Sequence, residues 1–269
     1  MAFEPGFGLS ETSSEPVMNG AASMTKTTGT PAMDLKQELV MTMTGEVFQP
    51  VRLFYRIHDM DQLQRRFGRM SCMDFDDTND RWTWLYAGEA RKLKFEQPYK
   101  AIPKHMHPII LGSFYSHDDE MRLDIGSIER ATKAAVFFDK RITRSIAEVS
   151  YVAIYNKLPS DRTDHPGSNF DALFADVRTE EIDARMEVEI EGLTEAVKSG
   201  RFAEFMQEPR FELVEAFPVN FYEEGINQLR NSLHMRQTVA IQRWSGNTNF
   251  SLTDVLNVMA GHVDAPAGK

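Results

Sequence analysis

The strongest chemical signal in the chain is residues 74–86, DFDDTNDRWTWLY. Asp74, Asp76, Asp77 and Asp80 fall close together, and Arg81 with the alternating aromatics Trp82, Trp84 and Tyr86 follows at once. Carboxylates this dense bring a calcium loop to mind, with Asp74, Asp76 and Thr78 at ligand positions 1, 3 and 5. Position 6 of that loop requires glycine and holds Asn79, and position 12 requires a bidentate glutamate and holds Leu85. Short Asp and Asn side chains also accept backbone N–H bonds and tolerate turn geometry. The stretch is therefore expected to be a hairpin turn feeding an aromatic strand.

Other reactive residues are sparse. His105 and His107, two apart in KHMHP, are the candidate metal ligands, and they need a third ligand from elsewhere. Cys72 is the one cysteine; His58 is its nearest histidine, but a lone Cys opening a short strand is more often a small buried hydrophobe. The sequence contains no nucleophile elbow, phosphate-cradling Gly-rich loop, His-Glu-x-x-His or Cys-x-x-Cys. No catalytic residue and no cofactor are assigned on this basis.

The elements that must position these residues follow from periodicity. VRLFYRI (51–57) alternates as a strand, with Val51, Leu53, Tyr55 and Ile57 on one side. A helix capped by Asp59 or Asp61 follows, with Leu63, Phe67 and Met70 on one face, and then strands at 72–75 and 81–86. Residues 87–95, AGEARKLKF, read as a helix that is basic on its exposed side. A hairpin of 108–116 and 121–127 turns at His117, Asp118 and Asp119. Ser127 with Arg130 opens a helix whose inner face is Ile128, Ala131, Ala135 and Phe138, and 145–158 is a further strand. The order is β-α-β-β-α-β-β-α-β, an α+β class. Beyond a loop or linker at 159–169, residues 170–269 read as a mainly helical part. It contains a helix at 179–200 capped by Thr179 and stopped by Gly200, and a long amphipathic helix over 221–244. A last helix opens with Ser251 and Asp254 as a capping box and ends at Gly261.

The first six elements run β-α-β-β-α-β, the ferredoxin-like order shared by RNA-recognition modules. In such modules aromatics on two central strands stack bases while nearby cations meet phosphates. The corresponding set here is Arg52, Phe54, Arg56, Arg81, Trp82, Trp84 and Tyr86. The module's signature wants glycine after its leading Arg or Lys, where this chain has Trp82 directly after Arg81, so the likeness is one of element order alone.

Composition narrows the classes further. The chain has 269 residues with a net charge of −10, and the charge is segregated: −4 over residues 1–50, +3 over 51–157 and −9 over 158–269. One cysteine and the absence of a signal-peptide pattern fit a reducing, cytoplasmic setting without a membrane span. Met18, Met24 and Met33 leave the start codon open. Residues 1–33 are rich in Ser, Thr, Gly and Pro and read as disordered; with 34–50 they form a tail that is disordered or ordered by a partner. Its end carries an apolar docking patch, Leu39, Val40, Met41, Met43 and Val47. Residues 51–158 are the α+β domain. The leading expectation is a non-catalytic interaction or adaptor subunit whose partners are proteins of a larger complex. Single-stranded nucleic-acid binding through the strand aromatics and arginines is the alternative, followed by an enzyme without a local motif.

Overall fold

The computed structural model describes residues 38–117, 120–159, 169–201, 204, 212–219 and 226–261. In chain order the elements are β1 (Val51–Ile57), α1 (Met60–Phe67), β2 (Met73–Asp76), β3 (Arg81–Leu85), β4 (Ile110–His117), β5 (Glu120–Ile125), α2 (Ile128–Asp139), β6 (Ala147–Tyr155), α3 (Phe170–Leu173), α4 (Thr179–Lys198), β7 (Val214–Pro218), α5 (Ile226–Trp244) and α6 (Leu252–Met259). The seven strands form one sheet in the order β2-β3-β4-β5-β1-β6-β7, and every neighbouring pair is antiparallel. The class is α+β.

Local chemistry explains the boundaries. Asp59 caps α1 by accepting the Gln62 N–H at 2.9 Å, and Ser127 caps α2 by accepting the Arg130 N–H at 3.2 Å. The aspartate-rich stretch is a hairpin turn between β2 and β3. Asp76 accepts from the Thr78 and Asn79 backbone N–H groups, from the Asn79 amide and from Arg81 Nε at 3.1 Å, while Asp80 adopts a positive φ of 46°. Ser251 and Asp254 form the expected capping box on α6.

Both faces of the sheet are covered near β1. On one face Val51, Leu53 and Tyr55 join Leu123, Ile125 and Phe114, and meet Leu63 and Phe67 of α1, Ala131 and Phe138 of α2, and Leu233 of α5. Phe67 is the hub of an aromatic group: its ring centroid lies 4.9 Å from Phe114, 5.5 Å from Trp82 and 6.1 Å from Phe138. On the other face Phe54, Tyr151 and Ala216 pack against Phe174 and Ile182, which brings α3 and α4 onto the strands β1, β6 and β7.

Four expectations need correction. The strands 51–57 and 81–86 are not adjacent as the ferredoxin-like order requires, because the hairpin of β4 and β5 lies between them. Residues 87–95 form only a five-residue 3₁₀ turn, Gly88–Lys92, with extended backbone at Ala87 and again at Leu93; Gly88 (φ 44°) opens it against Ser71, where a side chain would collide at 2.0 Å. Thr179 does not cap α4: the cap position is Arg178, and the Thr179 hydroxyl donates to Glu120 at 2.7 Å. The part beyond the linker is not simply helical, because β7 pairs with β6 and extends the sheet. Pro218 and an acidic flank disguise that strand, and Pro in a sheet is confined to an edge such as this.

The segment before β1 is ordered against the chain's own helix α2. Met41 and Val47 form a bridge, and the loop between them is held by Arg130. Arg130 donates to the Thr44 hydroxyl at 2.6 and 3.0 Å and to the Ile110 carbonyl at 3.2 Å, and its Nε lies 3.4 Å from the Glu46 carboxylate. Both charged side chains are buried. Removing one member of a buried pair leaves the other uncompensated, a cost of about 3–5 kcal/mol. Arg130→Ala is expected to lower unfolding free energy by that order, measured by urea denaturation, whereas Arg65→Ala on the exposed side of α1 leaves it within about 0.5 kcal/mol.

Candidate functional site

The residues proposed for base stacking are not assembled into an open platform. Trp84 is 0% exposed and lies 5.5 Å from Phe137 and 5.2 Å from Phe138; Tyr86 is 2% exposed and donates to the Leu93 carbonyl at 3.0 Å. Trp82 is half-buried between Phe67 and Phe75, and Phe54 lies buried under α3 and α4. Arg52 is buried in a bidentate pair with Asp124 at 2.6 and 3.0 Å, and also donates to Asp171 at 3.0 Å. Arg81 is held by Asp76 and the Tyr115 hydroxyl, leaving Arg56 as the exposed cation of the set.

The other candidates are equally dispersed. His107 has both ring nitrogens engaged, by the Tyr99 hydroxyl at 2.8 Å and the Ile102 carbonyl at 3.1 Å, while His105 points to solvent from a short 3₁₀ turn. Among the described residues no three His, Cys, Asp or Glu side chains converge as a metal site. Cys72 is fully buried, and burial together with the Glu89 carboxylate pushes its thiol up to about 12, so it is a packed side chain and not a nucleophile. His58 pairs with Glu148 instead. Of the docking patch, Leu39, Val40 and Val47 are half-buried, while Met41 and Met43 project at 48% and 41% exposure.

The chemistry that does converge was only half visible in the sequence. Between α2, the Gly88–Lys92 turn and the start of α5 lies a cavity of about 400 Å³. Glu129, Thr132, Lys133, Val136 and Phe137 recur at helical spacing along one stripe of α2, and Lys140 and Arg141 continue it just past its end. The turn contributes Glu89 and Lys92, with Leu93 behind it, and α5 contributes Arg230. Five cations thus face two carboxylates in a chain whose net charge is −10. The basic character of residues 87–95 was legible; the stripe on α2 and the approach of Arg230 depend on tertiary packing.

The two carboxylates are occupied. Glu129 accepts from Lys133 one turn on, and its other oxygen lies 3.4 Å from His234 Nε2, which ties α2 to α5. Glu89 accepts from the Ser71 N–H and hydroxyl at 3.3 and 3.0 Å and from the Cys72 N–H at 3.2 Å. Arg141 is pre-set: its guanidinium lies 3.6 Å over the Phe137 ring while Nη1 donates to the Phe137 carbonyl at 2.9 Å. Lys92, Lys140 and Arg230 have no ion-pair or hydrogen-bond partner among the described residues. A half-apolar cavity rimmed by uncommitted cations is suited to an anion with an organic body.

No protein-family model, curated protein or solved structure matches the chain. Among the described residues no helix is long and apolar enough to cross a membrane.

Both pocket carboxylates sit below the ordinary glutamate value of 4.5. The His234 bond and then Lys133 draw Glu129 to about 2. Burial opposes the charge on Glu89, but bonds from the Glu89 and Ser71 backbone N–H groups, the Ser71 hydroxyl and Cys72 hold it at about 2 as well. Groups depressed in the folded state stabilise it above their unfolded pKa and lose that effect as they protonate, so the loss falls between pH 4.5 and 2. Urea unfolding is expected to show the wild type losing stability as pH falls through that window. The double variant Glu89→Gln, Glu129→Gln starts less stable and loses less over the same range.

Proposed function

We propose that the protein is a non-catalytic binding component of a larger assembly, and that the cavity between α2, the Gly88–Lys92 turn and α5 takes an anionic ligand. The observation that carries this reading is the local excess of three positive charges around a 400 Å³ cavity, three of whose cations lack partners among the described residues. Unpaired cations gathered on a strongly acidic chain raise the local potential for an anion where the average field repels it. The burial of Cys72 as a thiol supports a binding role over a catalytic one. The buried Trp84 and Tyr86 give no support to single-strand nucleic-acid binding.

The test compares two triple variants with the same net charge. Sodium pyrophosphate is expected to raise the melting temperature of the wild type and of Arg65→Gln, Arg66→Gln, Arg69→Gln at the end of α1 and just beyond it. The same anion should leave Lys92→Gln, Lys140→Gln, Arg230→Gln unshifted. Equal responses from both triples would mean general charge screening and would sink the pocket reading.

The assembly half of the proposal has its own observation. On α4, Ile190 and Val197 stand seven positions apart, hence on one face, and are 55% and 57% exposed along a helix that carries Glu187, Glu189, Glu191 and Glu195. Apolar side chains standing that far out of a charged helix suit a protein contact. A nuclease-treated pull-down is expected to retain stoichiometric protein partners with the wild type and lose them with Ile190→Glu, Val197→Glu. Retention by that folded variant would remove α4 from the contact.

A further inference from the structure

We infer that the ligand of the basic cavity is an organic phosphate that also carries hydroxyl groups, of the size of a sugar phosphate or a nucleotide. This rests on the cavity being an anion site and goes on to say which anion. Size is the first argument. At about 400 Å³ the cavity lies within the range of small-molecule sites and is far roomier than one bare oxyanion needs.

The second argument is the form of the cations. Arg141 is immobilised by the ring of Phe137 and by its own bond to the Phe137 carbonyl, with Nε and Nη2 uncommitted among the described residues. A fixed guanidinium with two parallel donors matches the oxygens of a phosphate or carboxylate bidentately. Lys92, Lys140 and Arg230 add further positive charge on flexible stems, more than a single carboxylate would use.

The third argument is the pair of carboxylates. Glu89 and Glu129 line the same cavity and are acceptors only while ionised. A compact polyanion such as pyrophosphate carries its full charge into that repulsion and has at most an acidic P–OH to donate. A ligand whose hydroxyls reach Glu129 turns that repulsion into hydrogen bonds, since each carboxylate has about four lone-pair sites and Glu129 has two recorded partners. Val136 and Leu93 add apolar lining to the same cavity. Cations, apolar lining and ionised acceptors in one cavity select a phosphate head on a hydroxylated body.

The experiment is isothermal titration of the full chain with ADP, glucose 6-phosphate, fructose 1,6-bisphosphate and inorganic pyrophosphate at one salt concentration. At least one organic phosphate is expected to bind about fivefold or more tighter than pyrophosphate, and Arg141→Lys to weaken it about tenfold. Glu129→Gln separates the hydroxyl contact from a general effect on the fold. It is expected to tighten pyrophosphate, by removing a negative charge, and to weaken the preferred organic phosphate. Pyrophosphate binding as tightly as all three organic phosphates overturns the ligand class and leaves the anion pocket standing. Failure of every anion to bind, with the variants indistinguishable from wild type, overturns both. Glu129→Gln tightening all four ligands alike overturns the hydroxyl contact and the ligand class with it.

Discussion

An arginine on a sheet strand with covered faces has to be matched in charge and in hydrogen bonds, and Arg52 sets that demand for this fold. Asp124 on the neighbouring strand β5 answers it with a bidentate bond, and Asp171 on α3 answers it from above. Asp171 also reaches Arg122 at 2.8 Å, and the Phe174 ring lies 5.1 Å from the Arg52 guanidinium. The layer containing α3 and α4 is therefore docked by charge at β1 and β5 and by apolar contact at β6 and β7. Without the ionic part of that contact, a desolvated guanidinium would oppose closure of this face. The same residue that looked like a phosphate contact in the sequence is a structural tie, because its partners lie 72 and 119 positions away.

A second buried arginine, Arg130, works at the opposite end of the design. It binds the loop before β1 to the first turn of α2, and the far stripe of that same helix forms one wall of the basic cavity. One helix thus carries three duties on three stripes: Ala131 and Phe138 to the sheet, Arg130 to the N-terminal loop, and Lys133 and Lys140 to the cavity. The position of the cavity is consequently fixed by the core. A site walled by a packed helix keeps its cations in place at lower entropic cost than one built on loops.

The sequence disclosed what depends on neighbours. Alternation named β1, Asp59 and Ser127 named their caps, Ser251 with Asp254 named a capping box, and Asp76 with Asn79 named the hairpin. It withheld what depends on distance. Strand order is set by which hydrophobic faces and hairpins meet, so the insertion of β4 and β5 between β1 and β3 has no local mark. The turn at 88–92 has helical composition, yet the backbone is extended on either side of it, at Ala87 and Leu93. Half of the cavity was readable as the basic run after Tyr86. Arg230 stands far along the chain from that run, and nothing near it in sequence announces the encounter.

The strand β7 imposes an order on synthesis. Until Val214 to Pro218 has been made, the outer edge of β6 presents unpaired N–H and C=O groups, a template that any extended chain can join. The ribosome needs on the order of 3–12 seconds to pass from Tyr155 to Val214 at about 5–20 residues per second. In that interval α3 and α4 emerge first, so the face of the sheet can be roofed before its edge is shut. When β7 arrives, its own outer side ends in Pro218, and Arg185 occupies the Ala216 carbonyl at 2.6 Å. Neighbouring chains on one polysome therefore face a sticky border for about 3–12 seconds each, and β7 is the strand that removes it.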